Sequence, residues 1–125
     1  MYDCGSCLYP QADEAIMRDT IDKQPERDLR TFSIPLSSIK VNGKKINYFD
    51  FISSLENADC NKALKRILPK INMDAIFRIV DETPFISDLQ KQFYKTMLRT
   101  RKERILDFAM EKLRKREKAK ELDAR

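Results

Sequence analysis

The most regular pattern of apolar positions lies in the last third of the chain. Apolar residues recur there at steps of three and four, the spacing that places side chains on one side of an α-helix. Ser87 and Gln90 have the spacing of a capping box, in which each side chain bonds the backbone N–H of the other residue. The pattern predicts one long helix over about residues 87–122, with a buried stripe of Leu89, Phe93, Met97, Leu98, Ile105, Phe108, Ala109 and Leu113.

A turn signal marks the end of the first third of the chain. Asn42-Gly43 lies between short apolar stretches and favours a type I′ turn, because both central residues of that turn need positive φ. A small β-hairpin is therefore predicted at this point. Asn47 or Asp50 is expected to cap the helix that follows it.

Two short helices are predicted between this helix and the long C-terminal one. The first starts at Asp59 and stops at Pro69, and the second is capped by Asn72 and closed by Pro84. Each carries apolar residues at helical spacing, which indicates a face turned toward the core. Cys60, in the first of these helices, is interpreted as a small core residue.

The N-terminal part has a weaker pattern. A helix is predicted near residues 11–22, since Pro10 suits a helix start and a short apolar stripe follows. The polar residues 23–30, which include Pro25, predict a surface connection, and Phe32-Ser33-Ile34 an extended segment. Together these elements predict a mainly α fold with one small hairpin, organised as a single domain over residues 1–125.

Composition removes several classes of chemistry. The 125 residues are enough for one domain with its own core, and 36% of them are charged. Histidine is absent, which excludes Ser-His-Asp or Cys-His catalysis and zinc sites of the Cys/His type. The only glycines, Gly5 and Gly43, cannot form a Gly-rich phosphate loop. No membrane-spanning apolar run or signal-peptide pattern is visible, so a cytoplasmic protein is expected.

Positive charge is concentrated at the C-terminal end. The chain has a net charge of +5, and the stretch KLRKREKAK carries much of it. Basic helices can follow nucleic-acid phosphates, but acidic residues interspersed at helical spacing also favour a solvated helix with internal ion pairs. A stand-alone helical module that binds protein or nucleic acid is therefore one interpretation, with contacts from Lys112, Arg114, Lys115 and Arg116.

The opening stretch YDCGSCLYP offers a second candidate site. A papain-like Cys nucleophile fails without histidine, and no thioredoxin-like βαβ pattern surrounds Cys4 and Cys7. Two half-buried thiols in a turn are the favoured interpretation, and an independent redox protein is the least favoured function. Asp3-Cys4-Gly5 has the Asp-x-Gly form of the kinase segment whose Asp holds the Mg²⁺ that bridges ATP phosphates.

The opening stretch matches a known family when it is read together with the later FISDLQKQFYKTMLRTRKERIL. With these two stretches read together, the whole chain resembles the C-terminal portion of HipA-like serine/threonine protein kinases, the toxin kinases of bacterial toxin–antitoxin systems and their relatives. In that family a Tyr-Asp followed by small residues lies after the catalytic loop, and Tyr2-Asp3 matches this position. The later stretch matches through Ile86, Ser87, Phe93, Tyr94, Arg99, Arg101 and Arg104.

The resemblance implies a helical C-lobe piece in which Asp3 is a ligand for Mg²⁺ and, through it, for ATP. The phosphate loop, the ATP-contacting Lys and the catalytic Asp of the family lie upstream, so no catalytic residue is expected within the chain. Mg²⁺ and ATP are expected only in a complete kinase, and the isolated chain is expected to be inactive. The implied partners are the upstream kinase portion, a helix-turn-helix antitoxin and a protein substrate; self-association through an uncovered apolar patch near the N-terminus is also expected.

Overall fold

A computed structural model of the chain describes residue 9, residues 12–33 and residues 37–124. Most of these residues are helical, and two short strands form an antiparallel pair. The mainly α fold with one hairpin and a long C-terminal helix is thus confirmed. In chain order the elements are α1 (Glu14–Asp22), α2 (Gln24–Asp28), β1 (Lys40–Val41), β2 (Lys44–Lys45), α3 (Tyr48–Ser54), α4 (Ala58–Ile67), α5 (Met73–Glu82), α6 (Asp88–Arg101) and α7 (Phe108–Asp123).

The chain divides into two compact units. The first unit comprises Met1–Pro35 and Asn72–Thr100, and the second comprises Leu36–Ile71 and Arg101–Arg125. Each unit is therefore assembled from two separate stretches of sequence. The organisation as a single domain stays a prediction. None of the helices in the described ranges is both long enough and apolar enough to cross a membrane.

Helix starts follow the sequence signals closely. The side chain of Asn47 accepts the backbone N–H of Asp50 at 2.7 Å, so Asn47 is the cap of α3. Asn72 caps α5 in the same way by accepting the N–H of Ala75 at 3.1 Å. Such caps satisfy backbone donors that have no partner inside the helix.

The predicted capping box at the start of α6 is confirmed. The Ser87 N–H donates to Gln90 Oε1 at 2.8 Å, and the Gln90 N–H donates to Ser87 Oγ at 3.1 Å. These reciprocal bonds fix the residue at which the helix begins. The helix is not uniform, because a π-helical segment, Lys102–Asp107, separates α6 from α7.

The predicted stripe on this long helix is wrong at Phe108, which is 43% exposed. A π-helical turn bonds each residue to one five positions away, so it rotates the residues after it relative to a continuous α-helix. Ile105 within this segment and Ala109 and Leu113 after it are buried, whereas Phe108 lies at the surface. There its ring centroid is 5.5 Å from that of Phe49.

The hairpin is confirmed at the predicted position. Lys40 pairs with Lys45 and Val41 with Lys44. The turn residues Asn42 and Gly43 have φ of 54° and 81°, as a type I′ turn requires.

Two expectations for the N-terminal part are wrong. The residues predicted as a surface connection include helix α2, since Pro25 lies in the first turn, where its missing N–H is not needed. The residues predicted as extended fall partly in a π-helical segment, Leu29–Ser33, while Ile34 lies outside the described residues. Arg27 stabilises this compact region by donating from Nη1 to the Ile21 carbonyl at 2.7 Å, and its own carbonyl accepts from Thr31 Oγ1 at 2.8 Å.

Each unit has a small apolar core. In the first unit Met17 of α1 packs with Phe93 and Met97 of α6, and the two α6 side chains are fully buried. The core of the second unit is formed by Leu55, Leu64, Ala109, Met110 and Leu113. The same long helix thus supplies core residues to both units, from α6 to the first and from α7 to the second.

Candidate functional site

The predicted metal ligand, Asp3, lies outside the described residues, as do Cys4 and Cys7. Within the ranges that the structure describes, no group of three or more Cys, Asp or Glu side chains is arranged to hold a metal ion. The described part of the chain therefore supplies no metal-binding cluster of its own. The assignment of Asp3 to Mg²⁺ stays a prediction.

Lys112, one of the four predicted contact cations, bonds within the second unit. Its Nζ donates to the carbonyl oxygen of Ser53 at 2.9 Å and lies 5.9 Å from the ring centroid of Phe108. Ser53 belongs to the last turn of α3, where carbonyl groups have no partner inside the helix. A cation at that end also interacts favourably with the helix dipole. Lys112 therefore stabilises the end of α3.

Arg116 contacts the same helix end one turn further along α7. Its Nη1 donates to the carbonyl oxygen of Leu55 at 3.0 Å. That oxygen also accepts from Asn61 Nδ2 at 2.9 Å. Leu55 caps α3 in the left-handed conformation, with φ of 61°, and its side chain is buried in the core. Lys112 and Arg116 together hold the α3 terminus against α7.

The other two predicted contact cations are exposed. Lys115 Nζ forms an ion pair of 3.2 Å with Glu111 on its own helix. Arg114 lines a cavity of about 430 Å³ beside Leu68, Pro69 and Met110, with the carboxylates of Asp107 and Glu111 in the same lining. Two of the four predicted contact cations, Lys112 and Arg116, thus have a structural role. Contact of the four with nucleic acid or a partner stays a prediction.

A second, apolar cavity lies beside α4. It has a volume of about 180 Å³ and contains the half-buried thiol of Cys60 in its wall. Burial raises the pKa of this thiol, so the protonated and weakly nucleophilic form is favoured at neutral pH. The remaining lining residues are Ile52, Ala63, Leu64, Ile67, Leu68, Ile71 and Leu106.

The later stretch of the family resemblance has a clear structural meaning. Ser87 caps α6, and Phe93 is the fully buried centre of the first core. The Tyr94 ring lies 5.8 Å from the Phe93 ring, measured between centroids. This part of the motif therefore specifies where α6 begins and how it packs.

Sequence reasoning missed an apolar surface on and after α5. Ile79 of that helix is 68% exposed and Phe85, just beyond it, is fully exposed. The sequence contains a sign of this surface. Met73, Ile76, Phe77 and Val80 are enough to form one buried face of a helix, and Ile79 is a further apolar residue outside that set.

The comparisons with known proteins find similarity between this chain and part of a serine/threonine protein kinase. A relative in that class shares 46% of residues with this chain over 110 positions, which cover 87% of this chain and 34% of the relative. That relative is the serine/threonine-protein kinase CtkA of Helicobacter pylori strain J99. No protein-family model matches the chain.

The structural comparison agrees with this result. The crystal structure of a Helicobacter pylori proinflammatory kinase CtkA superposes with a TM-score of 0.82 at 45% identity. It covers 90% of this chain and 41% of the crystallised kinase chain. The chain thus spans about a third of the length of the curated relative that it matches. The predicted resemblance to HipA-like kinases is confirmed, and the partial coverage is consistent with a C-terminal portion.

Proposed function

We propose that this chain acts as the C-terminal part of a serine/threonine protein kinase and that it transfers phosphate only together with the rest of such a kinase. The observation that carries the proposal is the 46% identity to CtkA, which covers most of this chain but only 34% of the kinase. Phosphoryl transfer requires ATP, metal and acceptor to be positioned together, so one part of the fold cannot perform it.

Asp3 is the residue that we assign to the active site of the complete enzyme. Its carboxylate is a hard oxygen ligand of the kind that Mg²⁺ prefers, and the following Cys4-Gly5 has the form of the kinase metal-binding segment. Bound Mg²⁺ would neutralise charge on the ATP phosphates. Asp3 would bind the Mg²⁺ ion and so hold its positive charge beside the phosphates.

The helices beyond this segment have a supporting role in the proposal. Phe93 and Met97 of α6 are completely buried against α1, which follows the opening stretch in sequence. A rigid core that follows the metal-binding segment directly in sequence would limit the movement of that segment, and metal sites need such support from the surrounding structure. We extend the proposal to protein substrates with Ser or Thr acceptors, to a helix-turn-helix antitoxin as regulator and to a cytoplasmic location.

A chimaeric kinase tests the proposal. This chain would replace the matching segment of full-length CtkA, and phosphate incorporation from Mg-ATP would be measured. The chimaera is expected to be active, and Asp3→Asn is expected to lower its rate at least about 100-fold through loss of a metal ligand.

Asp13→Asn is the matched control for Asp3→Asn. Asp13 caps α1 by accepting the Ile16 N–H at 2.8 Å, and Asn is an equally good cap. The control removes the same charge ten residues further along the sequence and should leave the rate within about twofold, since Asp13 has no proposed contact with metal. Equal losses from both variants would contradict the assignment of Asp3.

A further inference from the structure

Helix α5 has an apolar surface that its neighbours cover only in part. Six of its ten residues are apolar, yet none of the ten is buried. Most helices of a globular protein bury such a face, because burial of apolar area is their main source of stability. Among these residues Ile76 and Val80 are half-buried, and Ile79 is 68% exposed.

Polar contacts with α6 hold one edge of α5. Lys95 Nζ forms an ion pair of 2.8 Å with Asp81 and lies 5.9 Å from the ring centroid of Phe77. Lys91 Nζ donates to the Asp81 carbonyl at 2.7 Å. Since successive residues of an α-helix are rotated by ~100°, Ile79 lies ~200° from Phe77 around the helix axis. The contacts with α6 therefore leave Ile79 on another side of α5.

The turn after α5 carries a further exposed apolar residue. Phe85 follows Pro84, has φ of 66° and is fully exposed. A bulky residue is disfavoured in this left-handed region, where glycine is the usual choice. Within the described structure the ring gains no burial that would offset the unfavourable conformation. Strained conformations that persist are often found at functional surfaces.

We propose that the α5 face, defined as Ile76, Ile79, Val80 and Phe85, is the surface on which the remaining part of the kinase packs. This inference rests on the proposed function. The chain covers 41% of the crystallised CtkA chain, so more than half of such a kinase lies outside it and must contact it somewhere. A wide apolar face with an exposed aromatic residue is the kind of surface that such packing covers.

The inference predicts that one substitution changes Tm in opposite directions in two proteins. Phe85→Gly is made in the isolated 125-residue chain and in the CtkA chimaera, and Tm is measured for both. In the isolated chain Gly relieves the left-handed conformation, and Tm is expected to rise by roughly 2–4 °C. In the chimaera the same variant removes a buried ring, and Tm is expected to fall by roughly 2–4 °C or more.

Ile79→Ala is a second variant that leaves the backbone conformation unchanged. It should alter Tm of the isolated chain by less than about 1 °C and lower that of the chimaera by several degrees. Leu122→Ala is the matched control, since Leu122 is 58% exposed at the end of α7 and outside the proposed surface. It should have the same small effect in both proteins.

Three results would overturn the inference. Equal Tm changes in both proteins for Phe85→Gly and Ile79→Ala would mean that the remaining kinase does not cover the face. Destabilisation of the isolated monomeric chain by both variants would mean that other residues of this chain cover it. If the isolated chain sediments as a dimer, both variants convert it to a monomer and neither variant changes Tm of the chimaera, the occupant of the face would be a second copy of the chain. A folded chimaera without kinase activity would contradict the proposed function and still leave the Tm comparison valid.

Discussion

Arg116 on the C-terminal helix donates a hydrogen bond of 3.0 Å to the carbonyl oxygen of Leu55, the residue that ends α3 in a left-handed conformation. Lys112, one turn earlier, bonds the Ser53 carbonyl. Two cations that the sequence suggests for contact with another molecule thus bind the end of a neighbouring helix. These contacts give two of the basic residues of α7 a structural role.

Removal of the Arg116 side chain should destabilise the protein. We expect Arg116→Ala to lower the free energy of unfolding by about 1.5 kcal/mol, because a charged donor to a helix-end carbonyl is lost along with its packing. Denaturant unfolding followed by circular dichroism gives this value. Arg114→Ala is the matched control on the same helix, with an expected change below about 0.5 kcal/mol at an exposed position. Similar losses from the two variants would show that the Leu55 contact contributes little.

Neutralising the exposed pair of cations tests the nucleic-acid interpretation without disturbing the fold. Arg114→Gln with Lys115→Gln should leave the free energy of unfolding within about 0.5 kcal/mol. Fluorescence anisotropy with duplex DNA and RNA, measured at two salt concentrations, should detect no salt-dependent binding by the unsubstituted chain. Tight binding that weakens steeply with salt and is lost in the double variant would favour the interaction-module interpretation instead.

The capping box of α6 should contribute measurably to stability. Ser87→Ala removes the acceptor for the Gln90 N–H, and we expect a loss of about 1 kcal/mol in the free energy of unfolding. Ser87→Asp retains a side-chain oxygen at the same position and should recover most of that loss. If Ser87→Asp is as unstable as Ser87→Ala, the cap is not the source of the effect.

Cys60 should react slowly and at elevated pH. Because burial raises its pKa, iodoacetamide alkylation should show a midpoint above that of an ordinary thiol. The measurement requires Cys4→Ser and Cys7→Ser, so that Cys60 is the only thiol. A midpoint at or below the ordinary value would contradict burial of the thiol.

The same pKa shift predicts a pH dependence of stability. The folded state retains the Cys60 proton to higher pH than the unfolded state. The stability that follows from this difference in proton binding is fully present below the unfolded pKa, and it is lost as pH rises through the folded pKa. The free energy of unfolding should therefore decrease over that alkaline window. Cys60→Ala in the same background should remove this part of the decrease.

The sequence predicts best those elements that depend on local chemistry. Asn42-Gly43 forms the hairpin turn because positive φ is a property of those two residues. Ser87 and Gln90 start α6 through bonds that need no distant partner. The family resemblance was visible because Ser87, Phe93 and Tyr94 are close in sequence and serve one helix start and its core.

Elements that depend on tertiary contacts were predicted less well. Helix α2 forms where Pro25 and polar residues indicated a connection, with Arg27 and Thr31 bonding along the turn. A π-helical segment interrupts the α-helical spacing on which the predicted stripe depends, and Phe108, which follows it, is exposed. The roles of Lys112 and Arg116 depend on carbonyl groups some sixty residues away in sequence, which no local pattern reveals.

The central claim is tested most directly by phosphate transfer from Mg-ATP in a three-way comparison: the isolated chain, CtkA without the matching segment, and the chimaera that joins this chain to that truncated CtkA. The account predicts no transfer by the first two proteins and clear incorporation of phosphate by the chimaera. A folded chimaera as inactive as the truncated kinase, or transfer by the isolated chain alone, would contradict it.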